Sequence, residues 1–90
     1  MEKGLFLTWL EIEKAGGKSM GQILADINAV CGTAYRHNWP TKMADSDYSL
    51  ERVPVEVRRY MLRKVLPAEL AARGVVFPSD VVEVLVKRLT

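Results

Sequence analysis

The stretch SMGQILADINAVCG, residues 19–32, carries the clearest helix signals in the chain. Ser19 is a residue type favoured at helix N-caps, and Gly32 tolerates the left-handed backbone with which many helices end. Between them, apolar residues recur at spacings of three and four, which predicts one buried helical face. These apolar residues are Ile23, Leu24, Ile27, Val30 and Cys31. The stretch therefore predicts a helix over residues 20–31.

Helices are also predicted on both sides of this stretch. Apolar spacing predicts a first helix over residues 3–15, which the pair Gly16-Gly17 ends. Pro54 suits the first turn of a helix that runs to residue 66. Arg58 falls on the apolar half of that helix, where we expect it to form a structural ion pair. Pro67 is expected to start or kink a further turn, which Gly74 closes.

The C-terminal segment admits two interpretations. Asp80 and Glu83 have the spacing of a capping box, yet VVEVLV, residues 81–86, is also good strand material. We favour a helix, with room for a short extended segment near residues 75–77. The expected fold class is therefore all-α: a single domain over residues 1–90, a compact bundle of about five short helices with a helix-turn-helix-like core.

Composition and motifs argue against several classes of function. Ninety residues support one small domain, and a single cysteine cannot form an internal disulfide, which favours the cytoplasm. Glu11 and Glu13 interrupt the apolar N-terminal run, so we expect neither a signal peptide nor a membrane span. The chain has one histidine, His37, and no catalytic or phosphate-loop motif. We expect a protein that is not an enzyme and that has no cofactor and no metal site.

The segment GTAYRHNWPTKM, residues 32–43, is the best candidate for a binding surface. Thr33 is expected to cap a short third helix that Pro40 ends at about residue 38 or 39. Arginine and asparagine can grip bases bidentately, while threonine, tyrosine and lysine commonly hold phosphates. The alternative is that Tyr35 and Trp39 are core anchors beside polar residues that merely face water. The two interpretations are compatible.

This layout resembles the helix-turn-helix of small phage- and plasmid-borne repressors, through GQILADINAVCGTAYRHNW, residues 21–39, and the later Arg-Val-Pro, residues 52–54. The resemblance implies a reader helix in the major groove of double-stranded DNA. The expected base contacts are Tyr35, Arg36, His37 and Asn38. The expected phosphate contacts are Thr33, Lys42, Arg52, Arg59 and Arg63. For Arg59 and Arg63 the alternative is a solvated helix face with local ion pairs.

The charge distribution and the apolar ends bear on partners. Residues 32–66 carry seven basic and four acidic side chains, which favours an anionic partner. The C-terminal helix is apolar on more than one face, which predicts a homodimer interface at Val81, Val82, Leu85 and Leu89. The leading hypothesis is a dimeric DNA-binding regulator, most simply a repressor. The alternative is a protein-interaction module or accessory subunit that docks through its apolar terminal segments.

Overall fold

Five helices make up the described part of the chain in the computed structural model, which describes residues 2–90 and the side chains from residue 4 onward. They are α1 (Glu2–Ala15), α2 (Met20–Cys31), α3 (Trp39–Asp45), α4 (Val55–Ala72) and α5 (Ser79–Leu89). No strand occurs among these residues. The all-α prediction is therefore confirmed.

The signals at the ends of α2 act as predicted. The Gln22 N–H donates to Ser19 Oγ at 3.2 Å, so Ser19 caps the helix start. Gly32 has φ 67°, and its N–H donates to the Asn28 carbonyl at 2.9 Å. This left-handed position favours glycine, which has no Cβ to clash. The predicted helix over residues 20–31 is confirmed at both ends.

The longest helix, α4, organises the packing because it contacts α1, α2 and α5. The core is rich in aromatic rings from different elements. Phe6 meets Trp39 edge-on with ring centroids 5.2 Å apart, and Trp9 meets Tyr60 edge-on at 6.3 Å. Edge-to-face contacts of this kind stabilise a core beyond the area they bury. The largest fully buried side chains are Trp9, Phe6, Ile23, Ile27, Met61, Val57 and Val86.

The predicted third helix is wrong. Residues 33–36 are irregular, residues 37–38 form a turn, and α3 begins at Trp39, where the sequence pattern predicted an end. Pro40 lies in the first turn of α3, where a missing N–H costs no helical hydrogen bond. The connection from α2 to α3 therefore spans residues 32–38, longer than the usual helix-turn-helix turn of about three to four residues.

The predicted helix end at residue 66 is wrong, and Pro67 does not start a separate turn. The helix α4 runs from Val55 to Ala72 with Pro67 inside it. A proline here removes one backbone donor, but packing of α4 against three other helices holds the element together. Gly74, with φ 75°, follows the helix end as predicted.

The C-terminal segment is a helix, as favoured, but the predicted capping box is wrong. The helix α5 begins at Ser79 after Pro78, and no side chain caps it. Glu83 pairs with Arg63 of α4 instead of reaching back along its own helix. Residues 75–78, which include the proposed extended segment, are irregular and connect α4 to α5.

The ion pair expected for Arg58 is not found. Among the described residues no carboxylate pairs with it, and its Nε is buried without a hydrogen-bond acceptor. Its position on the apolar side of α4 is as the sequence predicted, but the described fold supplies it with no acid.

Candidate nucleic-acid interface

The connection over residues 32–38 is held in place by one side chain, Asn28. Its Oδ1 accepts from Thr33 Oγ1 and from the Tyr35 N–H, each at 2.8 Å. Its Nδ2 donates to the Tyr35 carbonyl at 3.0 Å. An Asn side chain that satisfies backbone groups in this way stabilises an ordered loop without helical hydrogen bonds. This is the physical reason why Thr33 does not start a helix.

Tyr35 anchors the same connection to the core. Its ring stacks on Trp39 with centroids 3.7 Å apart and an interplanar angle of 7°. Trp39 is itself buried against Phe6 and Trp9. Burial also raises the pKa of the Tyr35 hydroxyl. Tyr35 and Trp39 are thus core anchors, and the polar neighbours between them can face water at the same time.

Four polar side chains of this region, Arg36, His37, Asn38 and Lys42, are exposed. The loop that carries three of them returns along α2. A Cβ added to Gly21, in the first turn of α2, would lie 3.9 Å from His37 Nε2. The result is a rigid backbone that presents donors and positive charge to solvent, while Thr33 and Tyr35 are only partly exposed and have internal partners.

The predicted phosphate contacts on α4 are occupied by acids and a hydroxyl. Arg63 pairs side-on with Glu83, with Nη2–Oε1 at 2.8 Å and Nε–Oε2 at 2.9 Å. Arg59 donates to Glu56 Oε1 at 3.2 Å and to Thr90 Oγ1 at 2.9 Å. Sequence reasoning foresaw a local pair for Arg59. It did not identify Glu83, on another helix, as the partner of Arg63.

A further predicted phosphate contact, Arg52, is exposed in the turn before α4 and has no ion pair with a described residue. Arg36, Lys42 and Arg52 are the exposed basic side chains of residues 32–66 that have no ion pair with a described residue, and the partly buried Arg58 is a fourth base without one. The excess positive charge of residues 32–66 is therefore smaller in the fold than in the sequence, because acids of α1 and α5 pair with bases of α4.

One buried carboxylate, Glu13, was missed as an organising residue. Its side chain is only 2% exposed, and it accepts ion pairs from Lys18 at 3.0 Å and from Lys64 at 3.2 Å. Lys18 also pairs with Asp26 at 2.8 Å, and this hydrogen bond, with the one to Glu13, raises the pKa of Lys18. The same bond lowers the pKa of Asp26. The network ties the end of α1 to α2 and α4.

A sequence signal for Glu13 did exist. It stands four residues after Trp9, on the helical face of α1 that Trp9 buries. An acidic residue on a buried face requires a partner, and basic residues close to α1 in the fold meet that need.

The predicted dimer residues divide into two groups. Val82 is 9% exposed and Leu85 is half-buried, so both already pack within the single chain. Val81 and Leu89 are 36% and 62% exposed. Val76, Phe77 and Val84 are also exposed and were not among the predicted interface residues; with Val81 we call them the C-terminal apolar surface.

The cysteine is only partly accessible. Cys31 is half-buried, its Sγ lies 3.8 Å from the Glu56 carbonyl oxygen, and burial raises the pKa of its thiol.

In the described part of the chain, no three His, Cys, Asp or Glu side chains come together in a group that could hold a metal ion. None of the five described helices has the combination of length and hydropathy that a membrane span needs.

No protein-family model matches the chain, and no curated protein or solved structure matches it either.

Proposed function

We propose that this chain is a small regulator that binds double-stranded DNA through residues 33–42. The observation that carries the proposal is an ordered loop whose backbone is fixed from inside, by Asn28 and by the Tyr35–Trp39 stack, while its polar side chains face solvent. A preorganised loop pays little ordering entropy on binding, which is what a specific interface needs.

The roles within this surface follow from chemistry and exposure. Arg36 and Asn38 have the donor patterns that grip guanine and adenine bidentately, and both are exposed. His37 lies beside them, over the start of α2. Lys42 and Arg52 are the exposed cations that would hold phosphates. Because Arg59 and Arg63 are engaged by acids, the proposal leaves them outside the contact surface.

The regulator would act in the cytoplasm as a homodimer, since a two-fold DNA site requires two copies of a reader. The second copy would cover the C-terminal apolar surface, where Val76 is 85% and Val84 is 52% exposed. Burying such side chains between two copies removes apolar surface from water, which favours association. Sedimentation of the wild type and of Val84→Asp tests this part: the variant is expected to be monomeric.

The first experiment is fluorescence anisotropy with a pool of labelled duplexes at about 50 and 200 mM salt, where each phosphate contact adds about −0.9 to the slope of log K against log salt. Arg36→Ala is expected to cost about 1–3 kcal/mol of binding free energy and to relax the preference for one base. Its matched control is Arg88→Ala, which removes the same charge from an exposed position on α5.

The control variant is expected to bind like the wild type. Equal loss in both variants would mean that net charge alone attracts the DNA, and absence of binding at the lower salt would remove the proposal.

A second candidate function is an accessory subunit that docks a different protein on the C-terminal apolar surface. The observation that favours it is the exposure of Val76, Phe77 and Val84 beside an apolar cavity of about 200 Å³ lined in part by Pro67 and Leu70. Apolar docking is insensitive to salt, whereas DNA binding weakens steeply, so the same salt series distinguishes the two functions.

A further inference from the structure

A groove of about 600 Å³ lies between α1, α4 and α5, and no residue of the loop over residues 32–38 lines it. Its volume is within the range of about 300–1,000 Å³ typical of small-molecule sites. Leu62, Val65 and Leu66 of α4 form the floor, and Leu5 of α1 and Leu89 of α5 also line it. An apolar chain that binds in such a groove removes its surface from water, which is favourable.

Two arginines line the groove as well. Arg58 and Arg73 lie on the same side of α4, fifteen residues or ~22 Å apart along the axis, with the leucines between them. Glu69 also lines the groove one turn before Arg73, so it lowers the net charge at that end. Among the described residues, Glu69 is the only acidic side chain that lines the groove.

The condition of Arg58 indicates which kind of ligand fits. Arg58 lines the groove and is partly exposed, and no carboxylate of a described residue pairs with its guanidinium. A carboxylate or another anionic group accepts guanidinium hydrogen bonds in a fork geometry. Charge complementarity therefore favours an anion at this end of an otherwise apolar groove.

We propose that the groove binds a small amphiphile, with its anionic head group at Arg58 and its unbranched apolar tail along Leu62, Val65 and Leu66. The inference does not depend on the proposed DNA binding, because no residue of the loop or of α3 lines the groove. It assigns to α4 a binding role that is separate from its role in the core.

The test uses dodecanoate as the probe, below its micelle concentration, with isothermal titration calorimetry and amide chemical-shift mapping. Dodecyltrimethylammonium, with the same tail and opposite charge, and acetate, with the same head group and no tail, are the probe controls. Dodecanoate is expected to bind saturably and to shift the amide signals of residues that line the groove. It is expected to bind at least about tenfold more tightly than either control, because one control lacks the charge-assisted hydrogen bond and the other lacks the apolar tail.

The matched variants are Arg58→Met, which keeps the apolar stem and removes the charge, and Arg88→Met, which removes a charge outside the groove. Arg58→Met is expected to weaken dodecanoate binding about tenfold, and Arg88→Met to leave it unchanged. Equal affinity for the anionic and cationic probes, shifts outside the groove, or no saturable binding would each overturn the proposal. These wild-type readouts decide it even if Arg58→Met does not fold.

Discussion

Replacing Asn28 by alanine is the perturbation that most directly tests how the candidate surface is built. The substitution removes three hydrogen bonds between this side chain and Thr33 or Tyr35. At about 1 kcal/mol each their sum is ~3 kcal/mol, but the region is only part-buried and water replaces some of them. We therefore expect the free energy of unfolding to fall by about 1–2 kcal/mol, a drop in Tm of about 5–15 °C for a chain of this size.

The assay is urea and thermal unfolding followed by circular dichroism, beside the DNA-binding assay on the same samples. Asn38→Ala is the matched control for the unfolding measurements only, since Asn38 is exposed and makes no side-chain capping hydrogen bond but is itself a proposed base contact. It is expected to change stability by less than about 0.5 kcal/mol. If Asn28→Ala were no less stable than Asn38→Ala, Asn28 would not hold the loop, and the argument for a preorganised surface would fail.

Three further predictions concern the rest of the fold. Glu13→Gln is expected to destabilise the chain by about 2–3 kcal/mol, because two lysines lose a buried partner, whereas Glu11→Gln at an exposed position should be neutral in the same urea titration. Arg63 holds the pKa of Glu83 below its ordinary 4.5, so this pair stabilises the fold above that pH and loses its effect as pH falls through the lowered pKa. A Glu83→Gln variant should accordingly lose less stability on acidification below about pH 4.5 than the wild type does. Phe6→Ala removes a fully buried ring and should cost about 3–5 kcal/mol in chemical denaturation, and a cost below 1 kcal/mol would mean that the aromatic core is assembled differently.

The fate of the basic residues explains why charge in a sequence is a limited guide to a binding surface. Residues 32–66 have an excess of positive side chains, yet Arg63 and Lys64 pair with carboxylates from α5 and α1. Glu83 is twenty residues from Arg63 along the chain, so no local rule connects them. The exposed bases that have no ion pair with a described residue, Arg36, Lys42 and Arg52, are a smaller cationic set than the sequence indicated.

The two helix ends predicted from prolines, at about residue 38 or 39 before Pro40 and at residue 66 before Pro67, are wrong for related reasons. A proline in the first turn of a helix removes no helical hydrogen bond, and a proline inside α4 is tolerated because neighbouring helices pack against that helix. A local rule states what a proline costs. The helix continues through the proline when tertiary contacts stabilise it by more free energy than the proline costs.

The sequence by itself determined that this chain is helical and where α1, α2 and the start of α4 lie within a residue or so, because apolar periodicity and capping act over only four or five residues. It also offered Tyr35 and Trp39 as core anchors, beside the prediction that Tyr35 contacts a base. Only the tertiary structure decided that Asn28 holds the loop, that Glu13 receives two lysines, that Arg63 pairs with Glu83 and that Arg58 lines a groove. These contacts join groups that are far apart in the sequence and meet only when the helices pack. No local sequence pattern therefore predicts them.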